Sequence, residues 1–362
     1  MVGIKFGINS HMYPLEHVMK TAELAEKYGF DSLLIPDHIM QCEKELKYLT
    51  SFHAWTIISY WAAKTKKLII GTGCSDPHRL HPVVLAQIVA TVDQLSGGRA
   101  LLALGGGERM NLEPYGIPWD KPIARMREAL TIIDTIWTNP GPINFDGEFY
   151  HLKDAYRPLK PIQQPHPPVF IAANRPLSIK LLGEMGDGWF PIRLLPENYK
   201  KKLDEIRAIA KKAGRSPNAI EAGLFIRSAC SERREEARSK AVMDEAKPSI
   251  LYSPEKLEQE GINFKVPHEW EEFDHGNLLV KPEIIERRAE AAKAIPDDIV
   301  TRFYPFGTVS DCIETLDKYI KVGGTRHFFI MLIGPEELNW KTMRMYGEKI
   351  IPYFKETYKD VI

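Results

Sequence analysis

Residues 67–108 read KLIIGTGCSDPHRLHPVVLAQIVATVDQLSGGRALLALGGGE, and this stretch alternates between two kinds of apolar pattern. Two short apolar runs, KLIIGTG at 67–73 and ALLALGGG at 100–107, each end in glycines, as buried strands do where they stop at a turn. Between them, apolar residues recur at helical spacing from Pro82 to Leu95. A strand, a helix and a second strand in this order predict a βαβ unit with parallel strands.

The same alternation extends over most of the chain in both directions. It predicts six further strands, IKFGI (4–8), SLLIP (32–36), PVFIAA (168–173), GWFPI (188–192), EAGLFIR (221–227) and RHFFIML (326–332). Helices are predicted in the intervening segments at 15–28, 52–63, 123–137, 177–185, 198–213, 309–322 and 337–354. Eight parallel strands with helices between them predict an α/β fold, the (β/α)8 or TIM barrel, which needs ~250 residues. A doubly wound open sheet is the alternative, although a chain of this length usually forms two domains in that fold.

Two segments depart from the alternation and account for the additional length. In residues 139–165, Asp146-Gly147 lies between apolar alternations, which predicts a β-hairpin inserted after the fourth helix. Residues 231–298, after the seventh strand, are charged and helical in character, which predicts a helical insertion over one end of the fold. We therefore expect residues 1–362 to form a single barrel domain with insertions at about 139–165 and 231–298.

Composition limits the classes of function. The chain has 362 residues, of which 44% are hydrophobic and 27% charged, as in ordinary globular proteins. Lys plus Arg and Asp plus Glu each number 48, so the net charge gives no overall attraction to nucleic acid or to an anionic membrane. No apolar run approaches the ~18 residues of a membrane span. The first ten residues, MVGIKFGINS, lack the charged segment followed by an apolar segment that is typical of a signal peptide. These features predict a cytoplasmic protein with no nucleic-acid or membrane partner.

Several common site motifs are missing from the sequence. The cysteines, at positions 42, 74, 230 and 312, form neither a CxxC pair nor a zinc-ligand spacing. No GxxxxGK[ST] loop is present, and no GxGxxG precedes an early helix, which argues against a Rossmann site. His78 and His81, with Asp76 or Glu108, are the candidate ligands of a metal-dependent barrel hydrolase or isomerase, but no tight metal motif supports them. We expect no metal.

Polar residues follow the predicted strands at the ends where a barrel places its active site. They are Asn9-Ser10-His11, Asp37-His38, Gly73 to Asp76, Gly105 to Glu108 and Ala172 to Arg175. His38 exchanges a proton near neutral pH, which suits acid or base work on a hydroxyl or carbonyl. Glu108 follows three glycines, whose backbone amides can closely approach a flat or anionic ligand. On position alone, a structural histidine and a solvated loop carboxylate are equally good interpretations.

Four motifs in series carry a resemblance to a known family. They are GFDSLLIPDH (29–38), GTGCSDPHRLHPVVLAQIVATVDQLSGGRALLALGGGERMN (71–111), PVFIAANRP (168–176) and GDGWF (186–190). In this order they resemble the bacterial-luciferase-like superfamily, and within it the oxidoreductases that use the deazaflavin coenzyme F420. The match spans nearly the whole chain and is densest from Met1 to Trp189. The resemblance implies a (β/α)8 barrel, coenzyme F420, a small-molecule substrate and a homodimer.

The resemblance also implies catalytic roles. The chemistry would be direct hydride transfer between a substrate carbon and C5 of the coenzyme. His38 is implied to take or give the proton of the reacting hydroxyl, as in the members that oxidise alcohols and sugars. Glu108 is implied to donate or accept a proton near the coenzyme ring, at a position where the methylene reductases carry an aspartate. The insertion at 231–298 would exclude water from the barrel mouth.

A second group of positions is implied to bind the coenzyme. Gly73-Cys74 resembles a non-prolyl cis peptide that backs the ring, and Asn111 lies where an asparagine lines the same pocket. Ala172 to Arg175 resemble the segment that meets the phosphate tail, with Asn174 and Arg175 in place of glycines that the family often has. The implied coenzyme-binding set is Asp37, Gly73, Cys74, Ser75, Asp76, Gly106, Gly107, Asn111, Ala172, Ala173, Asn174 and Arg175.

Two positions depart from the members that oxidise alcohols and sugar phosphates. Those members carry a glutamate after the first strand, where this chain has residues 10–13, SHMY. They also carry a tryptophan four residues beyond the histidine, where this chain has Cys42. Arg302 lies near the position of an arginine that binds the sugar phosphate. We expect His11, Cys42 and Arg302 to face a substrate whose identity stays open, and an FMN-dependent monooxygenase or a non-catalytic F420-binding relative as alternatives.

Overall fold

The computed structural model of the chain describes residues 3–40, 50–253, 256–274, 276, 278 and 280–359. The strands of this part, in chain order, are β1 (Lys5–Asn9), β2 (Ser32–Ile35), β3 (Ile69–Thr72), β4 (Ala100–Leu104), β5 (Ile143–Asp146), β6 (His151–Ala155), β7 (Val169–Ile171), β8 (Gly188–Trp189), β9 (Glu221–Cys230), β10 (Phe306–Gly307) and β11 (His327–Leu332).

Eight of these strands close into a parallel barrel. Their order round the barrel is β1, β2, β3, β4, β7, β8, β9 and β11, and β11 pairs again with β1. Each of the eight strands predicted from the sequence is present, and the surrounding helices make the fold a (β/α)8 TIM barrel. The alternative of a doubly wound open sheet is wrong, because the pairing of β8 with β9 and of β11 with β1 leaves the barrel no open edge.

The helices of the described residues comprise an outer layer round the barrel and those of the 231–298 segment. They are α1 (Leu15–Lys27), α2 (Ala54–Lys64), α3 (Pro82–Ser96), α4 (Pro122–Thr138), α5 (Pro176–Met185), α6 (Pro196–Lys212), α7 (Arg234–Ala237), α8 (Lys240–Ala246), α9 (Lys256–Gln259), α10 (Pro282–Lys293), α11 (Asp297–Phe303), α12 (Val309–Lys318), α13 (Glu336–Met345) and α14 (Ile351–Thr357). Over the described ranges, none of them combines the length and the apolarity that crossing a bilayer requires.

Burial on both sides explains why the strands read as continuous apolar runs. In β4, Leu101 and Ala103 point into the barrel, whereas Leu102 and Leu104 pack against the helices. The barrel interior is filled by Leu34, Leu101, Ala103, Phe170, Phe190 and Phe329, which we call the barrel floor. Gly71 is needed beside β4, because a Cβ atom there would lie 1.9 Å from the carbonyl oxygen of Leu101.

Two segments leave the barrel. β5 and β6 pair antiparallel as a hairpin within residues 139–165. Residues 231–298 contain α7 to α10, the first residues of α11 and short 3-10 turns, and their described part holds no strand. One element was not predicted from the sequence: β10 has only two residues and extends the sheet beside Ala229 and Cys230 at the end of β9.

The end of the barrel where the strands begin is filled by a polar network. Lys5 donates from Nζ to both carboxylate oxygens of Glu221, at 3.0 and 2.9 Å. His327 contacts Glu221 through Nδ1 at 2.7 Å and the Ser32 hydroxyl through Nε2 at 2.8 Å. Burial alone would raise the pKa of Glu221, but the hydrogen bond with His327 and the charges of His327 and Lys5 lower it from 4.5 to about 2.

Glu221→Gln is expected to remove part of the acid sensitivity of the fold. Because the folded-state pKa of Glu221 is about 2, below its ordinary 4.5, its stabilisation is present above pH 4.5 and is lost as the pH falls toward about 2. The free energy of unfolding in urea should therefore fall less steeply with pH in this range for Glu221→Gln than for the unaltered chain. The same change at the exposed Glu205 is the control, and equal slopes in all three proteins would contradict the assignment.

Candidate functional site

The loops after β2 and β4 bring His38 and Glu108 together at the C-terminal end of the barrel. Nε2 of His38 lies 3.4 Å from Oε1 of Glu108, and 19% and 15% of their side chains are exposed. Asn111 donates from Nδ2 to Oε2 of Glu108 at 3.0 Å. Its Oδ1 accepts the backbone N–H groups of Ile39 and Met40, at 2.8 and 2.9 Å. Asn111 thus ties the two loops together and fixes the carboxylate beside the imidazole.

The environment of His38 favours its protonated form. Burial lowers the pKa of His38, but the charge of Glu108 and the hydrogen bond with it outweigh burial and raise the pKa above 6.5. The charge of Arg79 opposes this effect, and that of Asp37 supports it. The other ring nitrogen, Nδ1, is buried and hydrogen-bonds to no atom of the described residues. Among the described residues, His38 therefore has one nitrogen held by a carboxylate and one without a hydrogen-bond partner.

Glu108→Gln is expected to lower the pKa of His38 below 6.5. Without the carboxylate, burial and the charge of Arg79 both disfavour the imidazolium, and Asp37 alone supports it. NMR titration of the ring protons measures both proteins, and the exposed His151, with 68% of its side chain exposed, provides an internal control whose midpoint should not change. An unchanged His38 midpoint in Glu108→Gln would contradict the coupling of the two residues.

Arg79 is a site residue that the sequence analysis missed. Its Nε donates to Asp76 Oδ2 at 2.5 Å, and its Nη1 donates to Asp37 Oδ1 at 3.2 Å. Its Nη2 donates to the backbone oxygen of Asp37. The Ser75 hydroxyl donates to Asp37 Oδ2 at 2.5 Å. One guanidinium therefore joins the ends of β2 and β3 and neutralises part of the charge of two buried carboxylates. Its only sequence signal was a cation three residues after Asp76, in the segment DPHR.

The peptide bond Gly73-Cys74 is cis, as the family resemblance implied. Asn9 donates from Nδ2 to the carbonyl oxygen of Gly73 at 3.3 Å. Cys74 packs on the barrel floor. Burial raises the pKa of the Cys74 thiol to about 12, and the nearby charges of Glu108, Asp76 and Asp37 add to the effect. Cys74 is therefore a neutral thiol at physiological pH and a poor nucleophile.

The glycine-rich end of β4 is held by ring N–H groups. The carbonyl oxygen of Gly106 accepts Trp119 Nε1 at 3.0 Å and contacts His78 Nε2 at 3.2 Å. Gly107 adopts φ +78°, a conformation that favours glycine. His81 accepts the backbone N–H of Val83 and caps α3. In the part of the chain that the structure describes, no group of three or more His, Cys, Asp or Glu residues is arranged to hold a metal ion.

The segment after β7 is engaged by residues of the 231–298 segment. The carbonyl oxygen of Ala173 accepts Trp189 Nε1 at 2.7 Å. Lys256 donates from Nζ to Asn174 Oδ1 at 2.9 Å, and Arg175 pairs with Asp274 at 2.8 Å. Asn174 is therefore held in place, whereas Arg175 keeps 66% of its side chain exposed.

The three residues expected to face the substrate have different positions. His11, after β1, contacts the carbonyl oxygen of Leu332 through Nε2 at 3.0 Å. Burial, with the neighbouring His17, lowers the pKa of His11 to about 4, so that it is neutral at physiological pH. Arg302 is exposed on α11, and no hydrogen bond or ion pair joins it to the described site residues. Cys42 lies outside the described residues.

Comparison with known proteins adds independent information. A model of the family described as luciferase-like monooxygenase matches residues 4–326. The chain is 29% identical over 353 residues to 5,10-methylenetetrahydromethanopterin reductase of Archaeoglobus fulgidus, over 98% of this chain and 99% of that protein.

Two solved structures share the fold. One is an F420-dependent secondary alcohol dehydrogenase in complex with an F420-acetone adduct, with a TM-score of 0.79 and 21% identity over 96% of this chain and 98% of that one. The other is the coenzyme F420-dependent tetrahydromethanopterin reductase from Methanopyrus kandleri, with a TM-score of 0.79 and 22% identity over 98% and 100%. At these identities, the likeness establishes a common barrel architecture.

Proposed function

The chain belongs to the luciferase-like monooxygenase family, and from this premise we propose that it is a coenzyme F420-dependent oxidoreductase. It transfers a hydride between the coenzyme and a substrate carbon. The observation that carries the proposal is the His38–Glu108 pair, held by Asn111 at the mouth of the barrel. The reductase of Archaeoglobus fulgidus supports a redox function, since it is similar over 98% of this chain.

The residues at the barrel mouth fit a flat, polar-edged ring. The barrel floor and Cys74 provide an apolar base, and the glycines at 105–107 allow a ring to approach the backbone closely. Asp37, Ser75 and Asp76 line one edge, and Asn174 and Arg175 follow β7, where the phosphate tail would lie. When bound, F420 supplies or accepts the hydride at C5.

The protein supplies proton transfer and positioning. Nδ1 of His38, buried and without a partner in the described part of the chain, receives the hydroxyl of the substrate and takes or returns its proton. Glu108 holds the opposite nitrogen of His38 and exchanges the proton associated with the coenzyme. The substrate class is a carbon bearing a hydroxyl or carbonyl group, or a methylene carrier.

Residues 231–298 exclude water from this site as an insertion of a single barrel domain. Three contacts support this role. Lys256 reaches Asn174 and the carbonyl oxygen of Ile192, at 2.9 and 3.1 Å. Asp274 pairs with Arg175 at 2.8 Å, and the backbone N–H of Arg109 donates to Gly276 at 3.1 Å. The segment is thus attached to strand ends around the mouth.

The proposal is tested by anaerobic turnover. The purified protein is mixed with oxidised F420 and a panel of secondary alcohols, sugar phosphates and reduced pterin carriers, and loss of the absorbance of oxidised F420 is followed. Reduction of F420 without oxygen supports the proposal. Turnover that instead requires reduced FMN and consumes oxygen would assign the protein to the monooxygenases, and tight F420 binding without turnover of any substrate would make it a binding protein.

The protein is further proposed to act as a cytoplasmic homodimer. The support for the dimer is the resemblance of its motifs to the F420-dependent branch of the superfamily. Light scattering coupled to gel filtration measures the mass, and a particle of 41.3 kDa would show a monomer instead.

A further inference from the structure

We infer that Arg227 is a substrate-recognition residue that binds a negatively charged group of the substrate, a carboxylate or a phosphate. The inference deepens the proposed function and rests on it, since it names a chemical feature of the molecule that His38 and Glu108 act on. No motif of the sequence analysis singled out Arg227, which was read only as the last residue of the seventh predicted strand.

Arg227 lies on the face of β9 that points into the barrel. Phe225, two residues before it on the same strand, packs on the barrel floor, and side chains alternate along a strand. Arg227 therefore lies one layer closer to the mouth than Phe225. It is half-buried and pairs in register with Met331 of β11. This is the layer from which a barrel presents functional side chains.

The strand order places Arg227 across the mouth from the proton-transfer pair. β9 is the fourth strand from β3 in either direction round the closed barrel. His38 and Glu108 follow β2 and β4, the two neighbours of β3, and the Gly73-Cys74 peptide follows β3 itself. A substrate that spans the mouth can therefore place its reacting carbon near His38 and another group near Arg227.

Within the described ranges, most of the hydrogen-bonding capacity of Arg227 is unused. A guanidinium has five N–H donors, and the one hydrogen bond of Arg227 to the described residues is a long one, 3.5 Å from Nη1 to the hydroxyl of Tyr304. The group also lies over the rings of Phe225 and Tyr304, at 5.6 and 5.9 Å. No carboxylate in the described ranges forms an ion pair with it.

For comparison, two other arginines have structural roles, and each guanidinium is held by several partners. Arg79 is paired with Asp37 and Asp76. Arg99 donates from Nη1 and Nη2 to Thr65 and to the carbonyl oxygens of Ala62 and Leu68, at 2.6 to 3.1 Å. Arg227, which is half-buried and has few partners among the described residues, keeps N–H donors that a ligand oxyanion can accept.

The charges on one side of the mouth disfavour a substrate anion beside the proton-transfer pair. Asp37, Asp76 and Glu108 stand on the side of β2 to β4 and repel an anion. His11, close enough for the charge of Arg227 to contribute to lowering its pKa, is neutral and does not compete for the anion. An oxyanion binds to Arg227, and the uncharged reacting carbon of the same molecule faces the acidic side.

The inference is tested by anion binding to the F420-loaded protein. Isothermal titration with inorganic phosphate and, separately, with acetate is carried out in a buffer free of other oxyanions, on the unaltered chain, Arg227→Gln, Arg227→Lys and Arg233→Gln. Arg233 has 77% of its side chain exposed, so its variant controls for the loss of one positive charge. Urea unfolding and F420 affinity, measured on each protein, establish that the variants are folded.

The expected result is saturable binding of at least one anion, weakened at least ~10-fold in Arg227→Gln, largely retained in Arg227→Lys and unchanged in Arg233→Gln. Tighter binding of phosphate than of acetate indicates a phosphate ester as substrate, and the reverse indicates a carboxylic acid. The inference is overturned if neither anion binds, or if Arg227→Gln binds both as the unaltered chain does. If F420 itself fails to bind, the proposed function fails, and the titrations on the free protein still decide the role of Arg227.

Discussion

Replacing His38 by alanine is expected to lower turnover at least ~100-fold and to leave the affinity for F420 nearly unchanged. In the proposed mechanism the imidazole exchanges the substrate proton, and alanine has no group that can do so. In the proposed site, the coenzyme is bound instead by the barrel floor, the glycines after β4 and the residues after β7. Turnover and fluorescence titration with F420, measured on the same preparation, separate the two effects.

The control for this variant is His151→Ala. His151 lies on the hairpin strand β6, with 68% of its side chain exposed, so the change removes an imidazole without affecting the site. Turnover of His151→Ala should equal that of the unaltered chain. If His38→Ala also turned over at the unaltered rate, the acid–base role of His38 would be excluded, and a loss of F420 affinity equal to the loss of turnover would make it a coenzyme-binding residue.

Replacing Arg79 by glutamine is expected to lower the free energy of unfolding by about 3–5 kcal/mol, the usual cost of leaving a buried charge without its partner. The side chains of Arg79, Asp37 and Asp76 are only 13%, 6% and 6% exposed. Glutamine is uncharged and cannot neutralise the negative charge of the two carboxylates. Arg79→Lys restores the charge but not the planar set of donors. Its free energy of unfolding should therefore lie between those of the unaltered chain and Arg79→Gln. Urea unfolding at neutral pH measures all three proteins.

An exposed ion pair provides the matched comparison. Arg109 and Glu113 pair at 2.5 Å with 39% of each side chain exposed, and such pairs contribute about 0–1 kcal/mol. Arg109→Gln should therefore change the free energy of unfolding by no more than about 1 kcal/mol. Equal effects of Arg79→Gln and Arg109→Gln would show that Arg79 does not neutralise the buried carboxylates.

The barrel could be predicted from the sequence because its strands are buried on both faces. A strand such as β4 must then be apolar at every position, and it must end where polar loops begin. Parallel strands also place all of these ends on one side of the barrel, so Asp37, His38 and Glu108 were recognisable as neighbours before their contacts were known. The two-residue strand β10 gave no such signal, because two residues paired with the end of β9 are too few to show a pattern.

The contacts within the site could be predicted only in part. The sequence indicated His38 and Glu108 separately, but their separation of 3.4 Å depends on Asn111 joining two loops. Arg79 and Arg227 were missed because an arginine shows in a sequence neither what it pairs with nor which face of a strand it occupies. Those properties follow from the register of β9 with β11 and from the approach of the β2 and β3 loops.

The most direct test of coenzyme F420 as the redox partner of this barrel is a parallel fluorescence titration of the purified protein with F420 and with FMN. Binding of F420 in the micromolar range or tighter, with no comparable binding of FMN, is the predicted result. Tight binding of FMN alone, or of neither compound, would contradict the assignment of the barrel mouth as an F420 site.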